Sequence, residues 1–209
     1  MKIKKNNMNT VEPIEKWKFI FLDTSVIIDL LLDAKKFDKN IPVQNRINDT
    51  KKLFKYFNDS NIYSKKQYVF YVSAITVSEL TAKLDNDLIL VLLKLFSSGD
   101  LTFVDFTKDI ALTITNDIKN YLPNHSYNQF ISRLKKELKD DNSAFSKRSW
   151  IIDDLKIASS AKSLKQLDVV LTADKKTFSP ICLQLNLPFV ETSNLPKDLF
   201  DEISTKHFQ

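Results

Sequence analysis

WKFIFLDTSVIIDLLLD, residues 17–33, begins as a continuous apolar run and ends in a helical pattern. The run up to Asp23 does not alternate between polar and apolar residues, which is typical of a parallel strand covered on both faces. Thr24 and Ser25 are suited to cap the helix that follows. A strand that leads directly into a helix is the repeating unit of α/β folds, so this stretch predicts that class.

The same alternation of strand and helix continues along the chain. Further strands are predicted at 68–74, 101–106, 167–174 and 187–191. Helices are predicted at 24–33, around 47–57, and at 75–96, 107–122, 150–164 and 179–186. This order predicts an α/β fold, a three-layer α/β/α sandwich with a central parallel sheet, although the sequence does not give the strand order.

One domain is the expectation for 209 residues of which 43% are apolar. We expect it to cover 16–193, with a flexible N-terminal tail at 1–15, a basic insertion at 124–149 and a C-terminal tail at 194–209. The polar start has no apolar signal segment, and the apolar run 88–96 is too short to span a bilayer. We therefore expect a cytoplasmic protein that does not contact the membrane.

The composition excludes several kinds of site. Gly99 is the single glycine, whereas P-loops and GxGxxG turns need several. His125 and His207 are the only histidines and neither stands in a recognisable motif, which disfavours hydrolytic triads and zinc sites. Cys182 is alone in an apolar stretch and is expected to be a buried structural thiol. The chemistry left to this chain is that of Asp and Glu.

The net charge of +5 favours a polyanionic partner only mildly. Basic residues are enriched in the region 120–150 and in several lysine pairs. The candidates for contact with RNA phosphates are Lys147, Arg148, Lys175 and Lys176. Ordinary solvated surface side chains are the alternative interpretation of each.

Acidic residues stand at the ends of two predicted strands and on two predicted helices. Asp23 and Asp174 end strands, where parallel sheets collect functional groups. Glu79 lies near the start of one predicted helix, and Asp153 and Asp154 lie in the first predicted turn of another. Singly, each is explained by helix capping or by the helix dipole. Together, converging carboxylates would repel one another unless a cation lay among them, and oxygen ligands suit Mg²⁺ or Mn²⁺.

Three segments resemble the motifs of the PIN domain, a compact α/β/α nuclease fold. They are FIFLDTSVIIDLL, ITVSEL and IIDDLKIASSAKSLKQLDVVLTADKKTF, which occur in the family's order between residues 17 and 178. The resemblance implies a catalytic and metal-binding set that takes Asp154 rather than Asp153. Its four acids are Asp23, Glu79, Asp154 and Asp174, with Thr24 and Thr172 as supporting hydroxyls.

The resemblance implies an endoribonuclease that uses Mg²⁺ or Mn²⁺. Small PIN proteins of bacteria and archaea are often toxins, so RNA, a cognate antitoxin and a second copy of the chain are the expected partners. The chain is longer than the compact pattern at 34–66 and between Glu79 and Asp154. A catalytically silent PIN fold that binds RNA or protein is the alternative. A haloacid-dehalogenase-like phosphatase is disfavoured because it needs an acid where Ser25 stands.

Overall fold

The computed structural model describes residues 11–97, 99, 101–121 and 144–195, and describes 63, 64, 83, 115, 117–121, 144–150 and 194 by their backbone alone. Most of the predicted basic insertion and of the C-terminal tail therefore lies outside the described residues. No helix in the described ranges combines the length and apolar character needed to cross a membrane.

Within these ranges the centre of the fold is a five-stranded parallel sheet, which confirms the predicted class. Its spatial order is β3-β2-β1-β4-β5. The strands are β1 Phe19–Leu22, β2 Val69–Ser73, β3 Leu101–Val104, β4 Val169–Thr172 and β5 Phe189–Glu191. Strands β2 and β3 lie on one side of β1, and the later strands β4 and β5 lie on the other. The strand order therefore reverses between β1 and β4. Ligands of open α/β sheets bind in the crevice at such a reversal, beyond the carboxyl ends of the strands.

Helices cover both faces of the sheet. In the described ranges they are α1 Thr24–Leu31, α2 Ile41–Ser64, α3 Ala74–Lys83, α4 Asn86–Ser97, α5 Lys108–Tyr121, α6 Ala144–Lys162 and α7 Phe178–Gln184. On one face, Ile20, Leu22 and Leu171 pack with apolar residues of α1 to α4. On the other, Phe21 and Val170 pack against α6 and α7. Successive residues of a strand thus point into two separate cores, one on each face of the sheet. Both faces are covered, so β1 and β4 do not alternate between polar and apolar residues.

Two helix boundaries differ from the sequence prediction. The helix predicted at 75–96 is broken, because Leu84 is extended (ψ 148°) and the Asp85 carboxylate accepts a hydrogen bond from the Leu88 amide. Asp85 thus caps a new helix, α4. The helix predicted to start at 150 begins at Ala144, six residues earlier.

Of the N-terminal tail predicted at 1–15, residues 1–10 lie outside the described residues, whereas the described part, 11–15, contributes to the core. Ile14 lies in a 3₁₀ turn and is 3% exposed. The Lys66 ammonium donates hydrogen bonds to the Ile14 and Glu15 carbonyl groups, and the Trp17 indole N–H donates to the Glu12 carbonyl. These contacts fix the chain that leads into β1.

Candidate active site

Asp23 lies at the carboxyl end of β1, beside the reversal of strand order, and is only 2% exposed. Its amide donates to the Leu171 carbonyl at 3.0 Å, which holds it against β4. Its Oδ2 atom accepts hydrogen bonds from the Ser25 hydroxyl and, at 2.9 Å, from the Thr172 hydroxyl. The carboxylate is therefore buried between the ends of the two strands on either side of the crevice.

Helix capping does not explain the position of this carboxylate. Asp23 is the N-cap residue of α1, but its side chain makes no capping hydrogen bond. The predicted caps, Thr24 and Ser25, are the first two residues of the helix itself. All three side chains are instead directed into the hydrogen bonds of the site.

Burial raises the pKa of Asp23 from 3.8 to about 6. The hydroxyls of Ser25 and Thr172 act in the opposite sense, and the charges of Asp174 and Glu79 raise the pKa further. The carboxylate is thus close enough to two other acids to feel their charge, although its nearest partners are hydroxyls.

Glu79 is brought to the site by α3, which follows β2 directly. Its Oε2 atom accepts a hydrogen bond of 2.7 Å from the buried Thr24 hydroxyl. Thr24 also lies 3.2 Å from the buried Thr76 hydroxyl. Asp23 and Thr24 are adjacent in the sequence. The link between β1 and α1 therefore positions both the Asp23 carboxylate and the hydroxyl that binds Glu79.

Asp154 comes from the interior of α6 and is half-buried. Because α6 begins at Ala144, Asp154 lies about 15 Å along the helix from its first residue, so the helix dipole does not explain its position. Burial raises its pKa well above the ordinary range, and the charges of Asp23, Asp174 and Glu79 raise it further. The neighbouring Asp153 forms an ion pair of 2.8 Å with Lys156. The charges of the other acids thus act on Asp154, whereas Asp153 is held in an ion pair.

Asp174 follows β4 and is turned partly into its own loop. Its Oδ1 atom accepts hydrogen bonds from the Lys176 and Thr177 amides at 2.8 and 3.0 Å, and its Oδ2 atom accepts one from the Thr177 hydroxyl. Thr177 also lowers the pKa of Asp154 by hydrogen bonding, so it stands between the two acids. Capping of the turn before α7 thus accounts for part of the role of Asp174.

The four carboxylates share one region but do not form a preformed metal cage. No group of three or more His, Cys, Asp or Glu side chains in the described residues is arranged to hold an ion. The charges of Glu79 and Asp174 raise the pKa of both Asp23 and Asp154, so a cation among these acids would relieve their repulsion. The donors are all oxygens, which fits Mg²⁺ or Mn²⁺ chemically. Binding would need the acids to draw together around the ion.

Comparisons with known proteins leave the family unassigned. No family model and no curated protein matches the chain. Among solved structures, a VapBC2 complex from Rickettsia felis, bound to a DNA fragment from its promoter, overlaps with a TM-score of 0.43 at 17% identity. The overlap covers 83% of this chain and 98% of that one. A likeness at this level does not assign the chain to a family or give it a function.

Sequence reasoning missed three hydroxyl side chains of the site, those of Ser25, Thr76 and Thr177. Ser25 was considered only as a helix cap and as a residue that argues against a phosphatase. The signal for Ser25 and Thr76 is their position within the same motifs as Asp23 and Glu79, and Thr177 stands three residues after Asp174. Hydroxyls are common beside helix starts, so their types alone do not reveal these contacts.

The predicted phosphate contacts are placed only in part. The side chains of Lys147 and Arg148 lie outside the described part of the chain. Lys175 is 46% exposed and its ammonium lies 3.6 Å from Glu191 Oε2, while Lys176 is exposed. Cys182 is fully buried, as predicted, and burial raises its pKa well above the ordinary range, which makes it a poor nucleophile.

Proposed function

We propose that this chain is a Mg²⁺- or Mn²⁺-dependent endoribonuclease whose catalytic acids are Asp23, Glu79, Asp154 and Asp174. One observation carries the proposal. Asp23 is buried at the strand reversal, the charges of Glu79 and Asp174 act on both it and Asp154, and the charge of Asp23 acts on Asp154 as well. Four acids in one crevice do not stabilise a fold, because burying a carboxylate is unfavourable unless a cation or hydrogen bonds compensate its charge.

A divalent cation bound among these acids would activate a water molecule and stabilise charge on the scissile phosphate. Asp23, Asp154 and Asp174 would hold it, and Glu79 would orient the attacking water. Thr24 fixes the direction of the Glu79 carboxylate through its 2.7 Å hydrogen bond, and Thr172 does the same for Asp23. Such outer hydroxyls orient ligands and are expected to matter nearly as much as the ligands themselves.

The test is cleavage of labelled structured RNAs by purified protein in Mg²⁺, Mn²⁺ or EDTA, beside Asp23→Asn. We expect cleavage with metal, none in EDTA, and a loss of at least about a hundredfold in the variant. A parallel DNA substrate distinguishes the nucleic acid. Intact RNA under all conditions, with no metal bound, would favour a silent fold that binds RNA or protein.

Protein partners are a further part of the proposal. A cognate antitoxin and a second copy of the chain follow from the resemblance to small PIN toxins. Sedimentation of the purified chain tests self-association. A small open reading frame adjacent to its gene that encodes a DNA-binding protein would support the antitoxin.

A further inference from the structure

Two hydroxyls converge on a single oxygen of Asp23. Ser25 and Thr172 both donate to Oδ2, the latter at 2.9 Å. Each hydroxyl oxygen is also held by a backbone amide of the loop after β4. The Ala173 amide lies 2.8 Å from Ser25 Oγ, and the Asp174 amide lies 3.0 Å from Thr172 Oγ1.

The direction of every hydrogen bond in this arrangement follows from the donor inventory. A backbone N–H can only donate, so both hydroxyl oxygens accept from the loop. A hydroxyl carries one proton, and an ionised carboxylate oxygen can only accept. The protons of Ser25 and Thr172 must therefore point at Asp23 Oδ2, and none is left for the 3.5 Å contact between the two hydroxyls.

An ionised carboxylate oxygen has about two lone-pair directions for hydrogen bonds. On Oδ2 of Asp23, Ser25 and Thr172 occupy both, which leaves Oδ1 as the oxygen to offer to a cation. The geometry points to Ser25 as a positioning residue: with Thr172, it occupies Oδ2 so that Asp23 presents Oδ1 to Mg²⁺ or Mn²⁺. This inference rests on the proposed metal-dependent function.

Ser25 has a distinct place in this arrangement. It belongs to α1, yet its hydroxyl is held by Ala173, which follows β4. The serine therefore couples the two sides of the crevice through Asp23. Without it, Oδ2 would lose one donor, and the carboxylate would be freer to turn and offer either oxygen.

The experiment measures Mn²⁺ binding to the full chain by electron paramagnetic resonance of free Mn²⁺, together with RNA cleavage. Ser25→Ala removes the hydroxyl, Ser25→Cys replaces it with a weak donor of similar shape, and Ser25→Thr retains it. Ser78→Ala is the matched control, because Ser78 is exposed on α3 next to Glu79. Melting in EDTA, followed by circular dichroism, shows which variants fold.

We expect S25A and S25C to weaken Mn²⁺ binding about tenfold or more, as loss of an orienting partner does. S25T should stay close to wild type, and S78A should not change. If S25A does not fold, S25C decides. Wild-type affinity in S25C, or equal losses in S25T and S25C, would overturn the role of the hydroxyl while the proposed function stands. A wild-type chain that neither binds Mn²⁺ nor cleaves RNA would overturn both.

Discussion

At the scale of single residues, the most informative group is the buried carboxylate of Asp23. A pKa of about 6 in place of 3.8 means that its ionised form is disfavoured by about 3 kcal/mol in the folded chain. Hydrogen bonds from the Ser25 and Thr172 hydroxyls offset only part of the free-energy cost of burying the ionised carboxylate. Unfavourable charge of this kind, concentrated in a crevice, is typical of functional sites.

The first prediction concerns stability against pH in EDTA. Because the folded pKa of Asp23 lies above the unfolded one, the folded state is stabilised when this carboxyl group is protonated. That stabilisation is complete below pH 4 and is lost as pH rises through about 6. Asp23→Asn avoids this loss and should raise the free energy of unfolding by about 1–3 kcal/mol at pH 8. Urea unfolding at pH 4, 6 and 8 measures the effect.

The control for this prediction is Asp153→Asn, since Asp153 is paired with Lys156 and lies outside the buried cluster. It should show no gain at pH 8. A D23N chain that is no more stable than wild type at pH 8 would contradict the buried, charged state of Asp23.

How much of the site the sequence predicts depends on the residue. The four acids are visible because each stands in a motif beside an apolar strand or helix. What the sequence does not show is where each carboxylate points. Asp174 binds its own loop, and Glu79 depends on Thr24, because these hydrogen bonds arise only when distant elements meet.

At the scale of elements, α1 is fixed to α2 by an ion pair whose carboxylate is buried. Asp29 on α1 is fully buried and accepts hydrogen bonds from Arg46 at 2.8, 2.9 and 3.2 Å. Thr50 lies 3.5 Å from the same carboxylate and 3.0 Å from Thr192. Since α1 starts at Thr24, this contact also supports the site.

The second prediction is that Arg46→Ala destabilises the fold by about 3–5 kcal/mol, because it leaves the Asp29 carboxylate buried and unpaired. Lys52→Ala is the comparison, since the ammonium of this exposed lysine is 4.0 Å from Asp49 and surface pairs contribute about 0–1 kcal/mol. Thermal melts of the two variants separate the cases. Equal, small shifts would show that the Asp29 pair is dispensable.

The elements also show where sequence patterns succeed and fail. The strands were predictable because β1 and β4 are continuous apolar runs that enter two cores. The break between α3 and α4 was missed because the stretch 75–96 contains no proline or glycine to end a helix, while its signal, the capping residue Asp85, is a single side chain. Strand order stays hidden in the sequence because it depends on which strands pair across the sheet.

At the scale of the whole molecule, a cation that draws the acids together should stabilise the fold. Ligand at a hundred times its dissociation constant contributes about 2.7 kcal/mol, which in a chain of this size corresponds to about 5–10 °C in Tm. The third prediction is that Mn²⁺ raises the Tm by this amount at pH 8. The rise should shrink at pH 5, where Asp23 is largely protonated.

Differential scanning calorimetry with matched EDTA samples measures this effect. D23N is the control and should show little or no rise. An equal rise in D23N, or at pH 5 and pH 8 alike, would mean that the ion binds elsewhere.

The central claim is that the buried acids are a metal-dependent centre for RNA hydrolysis, and the most direct test compares two adjacent residues of one helix. Single-turnover cleavage of RNA in Mn²⁺ should fall at least about a hundredfold in Asp154→Asn. It should stay within about threefold of wild type in Asp153→Asn, whose carboxylate binds Lys156. Equal rates in the two variants, whether both high or both low, would contradict the assignment of Asp154 and the centre built around it.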